Sequence, residues 1–156
     1  MNYTIIGGGI AGLTTAIALK QIGINAQVFE SAPAIKPVGA GLVLAANAIK
    51  AYRKLGIAEK IIKRGRVLPT LNILDQRGRI ITSADAEAIG KKYDLHNFAI
   101  HRAELHEALL EELDPNQITL DKRAIGFEHL KNNKIAVHFA DGLNHPTDIL
   151  IVADGI

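Results

Sequence analysis

The chain has no cysteine, its aromatic content is only 4%, and its net charge is only +2. Without cysteine there is no disulfide, no thiolate nucleophile and no cysteine-based metal site, which fits a reducing cytoplasm. No apolar run reaches the ~20 residues that span a bilayer, so no membrane segment is expected. The first strand signal begins at Tyr3 and glycines interrupt the apolar start. No signal or transit peptide is therefore expected, and the expected location is cytoplasmic. So small a charge with so few aromatics argues against a nucleic-acid partner. The six histidines form no H-E-x-x-H pattern, and His101 and His106 stand five apart, a poor fit to one helix face, so no metal site is expected. Repeats and low-complexity segments are absent as well. What is present, 48% hydrophobic and 22% charged residues over 156 positions, describes a globular protein with room for one core.

The chain is organised around Tyr3 to Gly12, YTIIGGGIAG. It reads as a short strand (Tyr3–Ile6), a glycine turn and the start of a helix (Ile10–Ile22) that Gly23 stops. Gly7, Gly9 and Gly12 have the G-x-G-x-x-G spacing. The first glycine permits the tight turn, the second lets a pyrophosphate approach the backbone, and the third lets the helix pack closely on the strand. The helix N-terminus offers free N–H groups and partial positive charge to phosphates. A second strand, Asn25–Phe29, ends on Glu30, 18 residues after Gly12. That is close to the spacing of about 20 expected for the acid that takes ribose hydroxyls. Together these predict a dinucleotide-binding βαβ unit; a βαβ unit with an incidental glycine turn is the alternative.

Further along, Pro33 and Pro37 mark a loop, and Gly39-Ala40-Gly41 allows close approach of a ligand or of another backbone, or a plain turn. Ala45–Leu55 and Ala58–Lys63 have helical spacing. Their many Lys and Arg residues read as a solvated face. Leu71–Leu74 and Arg79–Thr82 flank the turn-like Asp75-Gln76-Arg77-Gly78 and predict a hairpin outside the Rossmann alternation. Asn97–Ile100 reads as a strand and His101–Leu113 as a helix with Leu105, Leu109, Leu110 and Leu113 on its apolar face. Glu104, Glu107, Glu111 and Glu112 fall on its solvated face. Ile118–Leu120 is a short strand. Ala124–Leu130, Ile135–Phe139 and Thr147–Ala153 are expected as a three-stranded antiparallel meander. The apolar run Asp148–Val152 is expected to return to the parallel sheet beside Tyr3–Ile6, as a buried strand leading into Ala153-Asp154-Gly155. A chain that stops there reads as an interrupted domain.

Four stretches, in this order, resemble the N-terminal part of the FAD-dependent aromatic-ring monooxygenases of the para-hydroxybenzoate hydroxylase-like group: IIGGGIAG with Glu30, GAGLVLAANAIKAYRKLGI, IHRAELHEAL and DILIVADG. The resemblance covers nearly the whole chain. It implies an α/β fold, a Rossmann-like FAD-binding βαβ with parallel sheet and antiparallel meander. Residues 1–156 would form an incomplete FAD-binding domain, with 66–95 as an inserted part of a substrate domain. It implies FAD as cofactor, NADH or NADPH as co-substrate, and a small, aromatic substrate.

Carried over by position, Gly7, Gly8, Gly9, Ile10, Ala11 and Gly12 would hold the pyrophosphate and Glu30 the adenosine ribose. Arg102 would reach toward the FAD phosphate and ribityl region, where a fixed guanidinium suits phosphate oxygens. Main-chain groups of Ala124 would sit near the adenine, and Gly39, Ala40 and Gly41 would approach the flavin end. Asp154 and Gly155 match an Asp-Gly motif linked to both FAD and NAD(P)H. Ser31 stands where many relatives have arginine, and the later Gly-Asp motif is absent. No catalytic triad is expected, because the flavin does the difficult chemistry; His96 is a candidate for a substrate cleft. Three readings stay open: an FAD monooxygenase or its FAD-binding part; another flavoenzyme of this architecture, a reductase or halogenase; or a truncated, inactive dinucleotide-binding module.

Overall fold

A computed structural model describes residues 1–35, 39–85, 88, 90 and 97–155. In chain order, β1 (Tyr3–Ile6), α1 (Ile10–Gln21) and β2 (Ala26–Phe29) come first. Then follow β3 (Gly41–Leu44), α2 (Ala46–Lys54), α3 (Ala58–Lys63), β4 (Arg66–Val67), β5 (Thr70–Leu74), β6 (Ile80–Asp85) and β7 (Phe98–His101). Helix α4 (Arg102–Leu110) leads through a 3-10 turn, Pro115–Gln117, to β8 (Ile118–Thr119), β9 (Ala124–His129), β10 (Ile135–Phe139), β11 (Asn144–Thr147) and β12 (Ile149–Val152). The chain divides into two units, one of Met1–Lys36 with His106–Ile156, the other of Pro37–Leu105.

The first unit is built on a four-stranded sheet of order β12-β1-β2-β8, parallel at every pairing. Its strands are short and apolar, as parallel strands covered on both faces tend to be. Ile5, Leu13 and Val28 are fully buried, so α1 lies against the sheet through Leu13, Ala16 and Ile17. A second cluster joins Ile6 and Phe29 to Val137 and Phe139 of β10. The Phe29 and Phe139 rings lie 4.8 Å apart and tilted by 50°, a favourable aromatic geometry. Each of these large side chains contributes about 1.5–3 kcal/mol on burial. His145 of β11 joins the cluster, its ring 4.8 Å from Phe29 and its Nε2 3.1 Å from Oγ1 of the buried Thr4. Burial away from water holds the His145 pKa below its ordinary value.

The predicted meander is present with a different third strand. β9, β10 and β11 are antiparallel in the order β11-β10-β9, and the third member is Asn144–Thr147, not Thr147–Ala153. Pro146 made that stretch look unlike a strand. It is tolerated because β11 lies at the sheet edge, where a missing N–H breaks no ladder. The apolar run then crosses to the other sheet as β12, in register with β1 from Tyr3↔Ile149 to Ile6↔Val152. It is not the buried strand expected from its sequence. Among the described residues β12 is the sheet edge, with Ile149 to Ile151 half-buried and Val152 57% exposed.

In the second unit, β3 and β4 flank β7 in an antiparallel sheet, a pairing that the sequence did not announce. His101 closes β7 opposite Gly41, so the following helix begins one residue later than its periodicity suggested. Ile49, Tyr52, Ala58 and Ile61 turn the buried faces of α2 and α3 inward, while Lys50, Arg53, Lys54 and Lys63 are exposed as expected. The predicted hairpin forms as β5–β6, closed by Asp75, whose carboxylate accepts from the N–H groups of Arg77 and Arg79. Both of its strands are exposed throughout.

Candidate functional site

The glycine turn is fixed on three sides within the first unit. Gly7 N–H donates to Phe29 O at 2.8 Å, which ties the turn to the end of β2. Gly7 has φ +106°, and a Cβ there would lie 2.3 Å from Ala153 O. The turn is thus pressed against the chain as it leaves β12. Gly12 is equally constrained, since its Cβ would fall 1.9 Å from Gly7 O. Gly8 donates its N–H to Glu30 Oε2 at 2.7 Å, and a Cβ on it would sit 3.0 Å from that of Glu30. Gly9 differs: a Cβ there would meet nothing within 4 Å. It is the N-cap of α1, with extended backbone and no side-chain cap, and Ile10 and Ala11 form the first positions of that helix. The result is an open cradle at a helix N-terminus, faced by backbone N–H groups.

Glu30 anchors the cradle. Besides Gly8, its carboxylate accepts from Ala32 N–H at 2.8 Å and from the Ser31 hydroxyl at 3.2 Å. Its own N–H donates to Thr119 O of β8 at 2.9 Å, and its carbonyl accepts from Lys122 N–H at 2.9 Å. Partial burial pushes the Glu30 pKa up, but the donors from Ala32, Gly8 and Ser31 outweigh it and hold the carboxyl below its ordinary 4.5. Because the folded-state value is the lower one, the stability this group gives is fully present above pH 4.5. It is lost as pH falls through the folded-state value. Glu30→Gln is expected to cost about 1 kcal/mol near pH 7, because the amide can accept from only one of the two N–H groups and the site is half exposed. Urea midpoints of the two proteins measured from pH 7 to pH 3 should converge on acidification. A constant gap would show that the charge plays no part.

Ala124 and Asp154, 30 positions apart in sequence, line one cavity of about 260 Å³ with Ile6, Phe127, Val137 and Leu150. Ile6 immediately precedes the glycine turn, so the cavity opens beside the C-terminal ends of β1 and β12. That is where open α/β sheets bind ligands. Gly155 follows with φ +86°.

The remaining sequence-predicted residues lie in the second unit. The Arg102 N–H donates to Ala40 O at 3.1 Å, and Gly41 pairs with His101. Gly39 has φ +128°, and a Cβ there would lie 2.9 Å from Cδ of Arg102. The close neighbour of Gly39 is thus the Arg102 side chain, not a ligand or another backbone, and a Cβ on Gly41 would meet nothing within 4 Å. Sequence reasoning missed His106, whose Nε2 is 2.6 Å from Gly8 O, because nothing in a helical repeat signals a partner 98 residues away. His96 lies outside the described residues. Among the described residues no group of His, Asp and Glu could hold a metal ion, and no helix is long and apolar enough to cross a membrane.

The family described as FAD binding domain matches residues 1–137. The chain belongs to that family. This FAD-binding domain is 34% identical, over its full length, to the aurachin C monooxygenase/isomerase of Stigmatella aurantiaca, covering 40% of that protein. It is 30% identical to the 3-amino-4-hydroxybenzoate 2-monooxygenase of Streptomyces cremeus, again over 40% of the relative. The crystal structure of Klebsiella pneumoniae HpxO complexed with FAD and uric acid superposes with a TM-score of 0.85 at 29% identity, over 99% of this chain and 39% of that one. The chain thus spans about two fifths of the length of these relatives. FAD is the cofactor, and the cradle fits it: the space beside Gly9 at the N-terminus of α1 is open, where a pyrophosphate would lie.

Proposed function

We propose that this domain is the FAD-binding part of a flavoprotein monooxygenase that hydroxylates a small aromatic or related substrate with NADH or NADPH and O2. The observation that carries the reading is the glycine turn, with Gly9 open, Gly8 tied to Glu30 and the N-terminus of α1 behind it. The hydroxylase and monooxygenase names of the relatives support the aromatic substrate. The lack of cysteine supports a cytoplasmic location.

In this reading FAD, when bound, supplies the redox chemistry, accepting a hydride from the nicotinamide and activating oxygen. The chain's own residues bind and orient. The N–H groups of Gly9, Ile10 and Ala11 receive the pyrophosphate at the positive end of α1, with Gly7, Gly8 and Gly12 shaping the turn. Glu30 takes a ribose hydroxyl through the lone pairs its backbone donors leave over. The cavity beside Ala124 takes the adenine, and Asp154, which lines it, and Gly155 are assigned to the cofactor with it. In the second unit, Arg102 at the N-terminus of α4 gives its charge to a phosphate. A cation is unfavourable there without an anion. Gly39, Ala40 and Gly41 are assigned to the flavin end. The β5–β6 hairpin, within residues 66–95, is assigned to the substrate domain, which is consistent with the exposure of Leu71, Ile73, Ile80 and Ile81.

The test is an absorption spectrum after incubation with FAD and gel filtration. Bands near ~375 and ~450 nm, ordinary for flavin, should elute with the protein. In the longer protein, oxidation of NADH or NADPH should then depend on a phenolic substrate and yield a hydroxylated product. Flavin retention without hydroxylation would favour a reductase or halogenase. A longer protein that retains no flavin would overturn the proposal.

A further inference from the structure

We infer that His106 is a positioning residue for the glycine turn, holding the peptide whose N–H meets the cofactor pyrophosphate; the inference rests on reading that turn as the FAD site. His106 stands on α4, and its Nε2 lies 2.6 Å from Gly8 O. A carbonyl oxygen only accepts, so the ring donates and carries its proton on Nε2. The peptide between Gly8 and Gly9 is planar and trans, so its C=O and N–H point in opposite directions. Pinning Gly8 O to His106 therefore aims Gly9 N–H away from the imidazole.

The other donors of the turn are already engaged. Gly7 N–H goes to Phe29 O and Gly8 N–H to Glu30 Oε2. Among the described residues, Gly9 N–H is the first donor of the turn without an acceptor, and a Cβ on the same residue would meet no atom within 4 Å. Three consecutive glycines have more backbone freedom than any other tripeptide. Left alone, this turn would have to be ordered each time a phosphate binds. Glu30 clamps Gly8 through its N–H and His106 clamps it through its C=O, so the middle glycine is held on both sides before any ligand arrives. Such preorganisation removes part of the ordering cost of binding.

The test compares His106→Leu with His106→Gln, whose side-chain amide can donate to the same carbonyl. Flavin fluorescence gives FAD affinity, and competition gives that of ADP and of adenosine. His106→Leu should weaken FAD and ADP about fivefold, roughly the net worth of one hydrogen bond, and leave adenosine within about twofold. His106→Gln should recover FAD affinity to within about twofold of the original. In the ligand-free protein, the Gly9 amide should shift and exchange faster in His106→Leu and not in His106→Gln. Should the leucine variant not fold, His106→Asn, too short to reach Gly8 O, takes its place. Unchanged FAD affinity in the leucine variant, equal loss for adenosine and ADP, or failure of glutamine to rescue would each overturn the role. Absence of FAD binding in the unmodified chain would instead send the cofactor reading to the longer protein, whose failure to retain flavin overturns it. The hold on the turn is then decided by the Gly9 amide, and an unchanged amide in His106→Leu overturns it.

Discussion

Gly9→Ala is expected to leave the fold intact while weakening FAD binding roughly 10- to 100-fold, the 1–3 kcal/mol typical of forcing a methyl into a close contact. Gly9 has φ −78° and ψ −174°, extended backbone that alanine adopts without strain. A Cβ there meets no protein atom within 4 Å, so nothing in the folded chain resists it. Losing backbone freedom in the unfolded chain stabilises by about 0.4–1 kcal/mol, and replacing a glycine N-cap costs a similar amount. The urea midpoint should therefore barely move. The methyl occupies the space into which the pyrophosphate must come. Equilibrium dialysis against FAD, beside a denaturation curve, separates the two effects. Undiminished affinity would mean that the phosphates do not approach the turn at Gly9.

Gly12→Ala should do the reverse and damage the fold itself. Its Cβ would sit 1.9 Å from Gly7 O and 3.3 Å from Cγ2 of Ile5. The first of these neighbours is backbone, held in place by the bond from Gly7 N–H to Phe29 O, so it cannot turn aside as a side chain would. Helix α1 would have to lift from β1, where Leu13, Ala16 and Ile17 are buried. We expect a loss of about 3 kcal/mol, the upper end for overpacking, from a total that is about 5–15 kcal/mol for ordinary domains. Thermal unfolding followed by circular dichroism measures it. A midpoint within a degree or two of the unsubstituted chain would show that the helix is not locked where the structure puts it.

The contrast between these two glycines explains why some of the site was legible and some was not. Their places in one spacing pattern already assigned Gly9 to phosphate approach and Gly12 to helix packing. What the pattern does not carry is the neighbours: Gly7 O lies against Gly12, and nothing lies against Gly9. Glu30 was legible too, because a strand of known length ends on it. Its bonds to Gly8 and Ala32 were not, since the acid was read only as a ribose ligand. The third meander strand was misplaced because Pro146 hides an edge strand, and edge position is a property of the sheet rather than of the residue.

The sequence alone determined what is local: the β1–α1–β2 unit with its glycine turn, the helical stretches that follow, the hairpin at Asp75–Gly78, and the absence of thiol chemistry. Each follows from periods of a few residues or from a residue type that is missing. Only the tertiary structure decided what joins distant positions. It makes β12, expected beside β1, a half-exposed edge rather than a buried strand, brings Ala124 and Asp154 to one cavity, and sets His145 on Thr4 and His106 on Gly8 O. Such contacts depend on the order of strands in a sheet, and no short-range pattern carries that order.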